Sequence, residues 1–304
     1  MTRRINLPQF LLVGTAKAGT TSIASYLKSH PAINLPQKET FFFCNQEIVT
    51  ELPYPMQRNE RTVVRNFSEY LTLYNNNNST LLSGEIGTAY LYYFEHSIPL
   101  IKTYLGTNIK IIIVLRNPIE RAYSSYLHFV KDGFEKSDFA TSLMAEEQRI
   151  KENWDFMWHH KKIGLYHDQV KAYLNSFENV NILYYDDMKQ RPEYFIKKLC
   201  SILEIDFLPD LQMESKNPSG LPRFRALQQL LTHNGPIKQV LRPFVRSVWG
   251  PEKRNQIKKR MKSQNLIDAP EMNKNDKYKL IEYYRTDIKK LEALLDVDLN
   301  YWLQ

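Results

Sequence analysis

The chain is poor in cysteine and has no long apolar run, and each absence narrows what it can be. Two cysteines in 304 residues, Cys44 and Cys200, give no disulfide framework and no metal-binding spacing. The seven histidines show no H-E-x-x-H or comparable arrangement. The strongest apolar run, 109–115, is far too short to span a bilayer and is interrupted by Lys110. Met1-Thr2-Arg3-Arg4-Ile5-Asn6 is basic but leads straight into an apolar stretch, with no secretory h-region or cleavage site. Internal repeats, low-complexity linkers and nucleic-acid-binding motifs are also missing. These exclusions predict a soluble, cytoplasmic protein without a metal, a transmembrane segment or a nucleic-acid partner.

What is present is a large apolar fraction, 43%, ample for a buried core. The net charge of +8 is unevenly placed. Between Lys216 and Lys262, twelve Lys and Arg stand against one acid, Glu252, which leaves the rest of the chain at −3. Such a segment suits an anionic ligand, or is a solvated basic face. It is read here as a cap or loop region within one domain spanning 1–304.

The pattern along the chain alternates strands and helices. Strands are predicted at 10–13, 32–35, 81–86, 109–115 and 180–185. Helices are predicted at 20–28, 68–74, 98–105, 119–130, 138–160, 164–177, 192–203 and 276–295. This alternation implies an α/β, P-loop-like three-layer fold with a central, mostly parallel sheet flanked by helices. Ligands in such folds bind beyond the carboxyl ends of the strands. There the turn after Val13 would meet Arg116, which follows Leu115.

The turn Gly14-Thr15-Ala16-Lys17-Ala18-Gly19-Thr20-Thr21-Ser22 is the most informative stretch. A buried strand, a small-residue turn and a helix start place unpaired amides and the positive end of the helix dipole at one point. Lys17 adds a point charge, and Thr20, Thr21 and Ser22 add hydroxyls. The phosphate loop of nucleotide triphosphatases reads G-x-x-x-x-G-K-[ST]. Here position 20 is threonine, and the only lysine lies inside the turn, so a different phosphorylated donor is implied. Arg116 closes a buried strand beside Pro118, a costly placement without an anionic partner. Its planar fork suits phosphate. The plainer alternative is a salt bridge at a helix end.

Three segments together resemble a known family. Residues 13–22 are similar to the 5′-phosphosulfate loop of sulfotransferases that use 3′-phosphoadenosine 5′-phosphosulfate (PAPS). The run Val114-Leu115-Arg116-Asn117-Pro118-Ile119-Glu120-Arg121-Ala122-Tyr123-Ser124-Ser125-Tyr126 is similar to their 3′-phosphate motif. Lys38-Glu39-Thr40-Phe41-Phe42-Phe43 resembles a K-E-x-x-F-F segment of the heparan-sulfate and bacterial branch. The stretch from Leu280 to Trp302 also looks like the closing helix and tryptophan of that family.

The resemblance implies a metal-independent, in-line sulfuryl transfer from PAPS to a hydroxyl or amine, leaving 3′,5′-ADP. Lys17 would neutralise the leaving 5′-phosphate, aided by the amides of Ala18, Gly19, Thr20 and Thr21 and by Ser22. Arg116 and Ser124 would hold the 3′-phosphate, with Arg223 in a loop over it. Glu39 would be the base, and Phe41, Phe42 and Phe43 beside it would raise its pKa by desolvation. Its alternative role is a surface pair with Lys38. His96 and His128 lie outside the matching motif. Gly84-Glu85-Ile86-Gly87-Thr88-Ala89-Tyr90 resembles G-E-K-x-P-x-Y, but Ile86 replaces the lysine of the glycosaminoglycan enzymes. The acceptor is expected to be a carbohydrate, a lipid or a small metabolite. Thr88, Ala89 and Tyr90 would line its cleft or end a buried strand, and the aromatics at 154–158 would line a groove or pack inside. The missing anchor points to a bacterial cytoplasmic enzyme. The competing readings are a small-molecule P-loop kinase and a non-catalytic module binding polyanions.

Overall fold

The computed structural model describes residues 7–36, 39–48, 63–75, 81–211, 220–223 and 266–304. Five parallel strands form its central sheet in the order β2-β3-β1-β4-β5. They are β1 (Phe10–Gly14), β2 (Ile33–Asn34), β3 (Leu82–Ile86), β4 (Lys110–Leu115) and β5 (Val180–Tyr184). This is the α/β fold that the alternation of strands and helices implies.

Period-two geometry sorts the central strands between two cores. Leu11, Val13, Ile111, Ile113 and Leu115 face one layer. Phe10, Leu12, Ile112 and Val114 face the other. The second layer is covered by α1 (Thr20–Ser29) and α9 (Pro192–Leu203). Phe195, Ile196, Leu199 and Leu203 of α9 are all buried, as their helical spacing predicts. The first layer is covered by α3 (Phe94–Leu105), α4 (Pro118–Asp132), α7 (Tyr166–Ser176) and the long α10 (Lys274–Leu295). Tyr284, Ile288 and Leu291 bury one stripe of α10, and Trp302 beyond it is fully buried.

The shorter helices are α2 (Phe67–Leu73), α5 (Phe139–Met144), α6 (Glu146–Lys151) and α8 (Tyr185–Gln190). A two-stranded antiparallel pair, β6 (Gly220–Pro222) with β7 (Leu266–Asp268), packs beside α4.

Several boundaries differ from the sequence expectation. The stretch 138–160 is not one helix. The Asp138 side chain caps α5, Asn153 takes a left-handed φ of 57° after α6, and the Asp155 carboxylate caps a short 3-10 turn at Phe156–Trp158. Local side-chain caps here outcompete helix continuation. β5 is half-buried because, among the described residues, it is the sheet edge and pairs only with β4. It stops at Tyr184, and α8 begins at once. α3 begins at Phe94 with Pro99 inside it. Apart from 220–223, the basic segment 216–262 lies outside the described residues, as does Lys38.

Candidate active site

The carboxyl ends of β1 and β4 build the centre of the site. Their register brings Gly14 level with Ile113, and the Thr15 amide donates to the Val114 carbonyl at 2.9 Å. Gly14 has a local reason to be glycine, since a Cβ there would lie 2.5 Å from the Leu91 Cβ. Lys17 (φ 73°) and Gly19 (φ 77°) both occupy the left-handed region. Alternating left-handed positions turn successive amides toward a common concavity suited to an anion. Gly19 also lies under α8, where a Cβ would collide with the Met188 side chain at 2.2 Å. Both glycines therefore accommodate protein neighbours as well as any ligand.

Two of the turn's amides are engaged internally: Ala18 donates to the Thr15 carbonyl at 3.3 Å and Ser22 to the Gly19 carbonyl at 2.9 Å. The Gly19 and Thr20 amides open α1, where no helical carbonyl reaches them. Thr20 is buried, and Lys17, Thr21 and Ser22 are half-buried.

Arg116 lies directly beside this turn. Its Nη1 donates to the Lys17 carbonyl at 2.9 Å, and Nη2 stands 3.4 Å from Glu120. Its guanidinium carbon sits 4.5 Å from the centre of the Tyr185 ring, within cation–π range. Its Nε is buried and has no hydrogen-bond partner among the described residues. Buried donors are seldom left unmatched, so this atom points to an absent acceptor.

The backbone behind Arg116 is fixed from two sides. The Tyr166 hydroxyl donates to the Arg116 carbonyl at 2.9 Å. Asn117 caps α4 through Ile119 and donates to the Trp302 carbonyl at 3.3 Å. Trp302 in turn donates through Nε1 to Asp186 at 3.1 Å. Tyr166 is thus a buried strut. Ser124 is half-buried on α4, and Arg223 is exposed at the end of β6 beside that helix.

A second part of the site grows from β3. The Glu39 amide donates to the Ile86 carbonyl at 2.8 Å, and the Thr88 hydroxyl donates to Glu39 Oε1 at 2.8 Å. Glu39 (φ 61°) and Phe41 (φ 57°) are left-handed non-glycine residues, so the turn carrying the carboxylate is held under backbone strain. Phe42 stacks on Tyr70, with ring centroids 4.6 Å apart, and Phe43 meets Tyr90 edge-on at 5.4 Å. The phenylalanines thus anchor the turn in the core. Ala89 and Tyr90 are fully buried, which leaves Thr88 as the member of that trio at the carboxylate. Phe156 and Trp158 are buried as well. His96 pairs with Glu47 at 3.3 Å, and His128 stands 3.8 Å from Asp132.

Sequence reasoning assigned no role to Glu85, which is fully buried on β3. Its Oε1 accepts from the Thr40 hydroxyl (2.6 Å), the Thr40 amide (3.3 Å) and the Tyr90 hydroxyl (2.6 Å), and Oε2 accepts from Tyr70 at 2.6 Å. Burial pushes its pKa above the ordinary carboxylate value, against those four donors. Tyr185 and Met188 were missed too. Among the described residues, no group of three or more His, Cys, Asp or Glu side chains is placed to hold a metal ion, and no helix is long and apolar enough to cross a membrane.

A parallel sheet whose central strand ends in a glycine-bounded turn that opens a helix defines an α/β protein of the phosphate-loop type. Residues 7–265 match the sulfotransferase domain model, and the chain belongs to the sulfotransferase family. A crystal structure of a sulfotransferase from Alicyclobacillus acidocaldarius superposes with a TM-score of 0.73 at 27% identity, covering 98% of this chain and 99% of that one. The membrane-associated sulfotransferase kil1 of Dictyostelium discoideum is 32% identical over 123 residues, which are 40% of this chain and 23% of that protein. The human bifunctional heparan sulfate N-deacetylase/N-sulfotransferase 2 is 32% identical over 124 residues, 40% of this chain and 13% of its own length. The chain thus spans less than a quarter of these two curated relatives.

Proposed function

We propose that the protein transfers a sulfuryl group from PAPS to a hydroxyl or amine of a carbohydrate, lipid or small-metabolite acceptor. The observation that carries this reading is the contact between Arg116 and the Lys17 turn. The Arg116 guanidinium meets the backbone of the turn that bears Lys17, on the adjacent strand end, a placement that suits one doubly anionic nucleotide spanning both. The donor set fits such a ligand: amides at the start of α1, the Lys17 ammonium, and a buried guanidinium nitrogen in want of an acceptor. PAPS, when bound, supplies the activated sulfuryl group and a phosphate leaving group.

Lys17 and the first amides of α1 offset charge at the 5′ end, where it grows as the bond to sulfur breaks. Arg116 and Ser124 hold the 3′ end, with Arg223 over it. Glu39 takes the acceptor's proton, and Thr88 aims the carboxylate by occupying one of its oxygens. The kinase alternative is disfavoured by Thr20 in the place of the triphosphatase lysine.

The test is calorimetric titration with 3′,5′-ADP in EDTA, followed by radiolabelled PAPS transfer to an acceptor panel. Tight binding that weakens in Arg116→Ala, with transfer lost in Glu39→Gln, supports the reading. Binding indifferent to both Lys17→Ala and Arg116→Ala, or Mg²⁺-dependent ATP turnover, overturns it.

A further inference from the structure

A cleft of about 370 Å³ opens between the start of α3 and the start of α7, outside the residues assigned above. Each wall is tied to one half of the proposed centre. The first wall carries Tyr92, Tyr93 and Phe94, and continues the turn whose Thr88 holds Glu39. Within that turn, the Leu91 amide donates to the Val13 carbonyl at 2.8 Å, at the root of the phosphate turn. Glu47, on the same segment as Glu39, joins this wall through His96. The second wall, with Lys162, Leu165 and Gln169, runs through Tyr166 to the Arg116 carbonyl.

The cleft's chemistry is one-sided. The Tyr92 and Tyr93 rings meet edge-to-face at 4.9 Å and give an aromatic floor. Three carboxylates, Glu47, Glu95 and Asp168, stand against one ammonium, Lys162. Asp168 also meets His167 at 2.7 Å. Carboxylates can only accept hydrogen bonds at neutral pH. Gln169 is 5% exposed, and its Nε2 donates to the Ile163 and Leu165 carbonyls at 3.3 and 2.6 Å. That fixes the amide's orientation. Its Oε1 is buried and accepts from nothing among the described residues. The cleft therefore offers aromatic surface and an acidic rim, and favours a ligand that brings hydrogen-bond donors.

We propose that this cleft is the acceptor subsite and that it takes a hydroxyl-rich sugar bearing no anionic group. The inference rests on the sulfuryl-transfer reading and narrows its acceptor. A pyranose lays its apolar face on the tyrosines and donates hydroxyls to the carboxylates. A sulfated or uronate-bearing chain would set its anions against those same carboxylates, which penalises binding and selects against it.

The test uses protein saturated with 3′,5′-ADP, whose binding is measured first. Saturation-transfer NMR then compares cellotetraose with a heparin-derived tetrasaccharide. Cellotetraose should bind the better of the two, and Tyr93→Ala should weaken it about tenfold with 3′,5′-ADP affinity unchanged. Glu95→Lys changes an exposed side chain and spares the core, so it keeps the test open if Tyr93→Ala fails to fold. It should cut the preference for cellotetraose about threefold or more. If 3′,5′-ADP binds but cellotetraose does not, or heparin tetrasaccharide binds more tightly, or Glu95→Lys leaves the preference unmoved, the inference is overturned and the sulfuryl-transfer reading stands. If 3′,5′-ADP itself does not bind, that reading fails and the inference falls with it.

Discussion

Two halves of one sheet edge are built in opposite ways. At the ends of β1 and β4, positive charge is concentrated, and backbone contacts hold it: Arg116 grips the Lys17 carbonyl, while Tyr166 and Asn117 fix the chain around it. At the end of β3, acidic side chains are concentrated, and other side chains hold them: Thr88 on Glu39, and Thr40, Tyr70 and Tyr90 on Glu85. The cationic half suits a ligand whose anions must sit at fixed points. The acidic half suits a group whose proton must be taken. On the proposed reading, donor and acceptor meet the ends of different strands, and substitutions can separate them.

The largest effect should come from Lys17→Ala, which lowers transfer at saturating substrates by about a hundredfold or more, as for loss of one charge-stabilising donor. Rapid-quench assays of radiolabelled product check it. Glu39→Gln should lower kcat by about the same order or somewhat less while 3′,5′-ADP affinity stays level. A parallel loss of nucleotide binding there would erase the division between the halves. Arg116→Ala should weaken 3′,5′-ADP by about 10- to 100-fold by calorimetry, the range for a charge-assisted hydrogen bond. Arg116→Lys should not restore it, because an ammonium cannot reach the Lys17 carbonyl, the Tyr185 ring and an anion together.

The smallest effect concerns Glu85. Its folded-state pKa is raised, so the folded chain binds the proton more tightly than the unfolded one. Below the ordinary value of 4.5 both states are protonated and this site costs the fold nothing. As the pH rises above that value the unfolded chain ionises first, and stability falls until the folded pKa is passed. Glu85→Gln should flatten that decline in urea titrations run across pH, whereas an unchanged slope would assign the dependence elsewhere.

The cationic half was the more legible in sequence. An apolar strand, a small-residue turn and hydroxyls at a helix start are contiguous, so Gly14 to Ser22 announce themselves locally. Arg116 is legible for a related reason, since a charge directly after a fully buried strand needs an explanation. The acidic half is assembled from separate pieces. Nothing near Glu39 names Thr88, because their pairing depends on β2 and β3 lying side by side. Glu85 reads as one polar residue in a strand, and only the fold surrounds it with Tyr70 and Tyr90. α8 went unseen because Tyr-Asp-Asp-Met-Lys-Gln is too short and polar to show a period. Gln169 reads as an ordinary helical residue until its amide is found turned inward.

Trp302 works as a keystone between parts of the chain that lie far apart in sequence. The backbone at Asn117 takes one of its braces from the Trp302 carbonyl, and α8 is tied through Asp186 to the same indole. Loosening that one indole would therefore slacken the Arg116 turn and α8 together, although it removes none of the side chains of the proposed site.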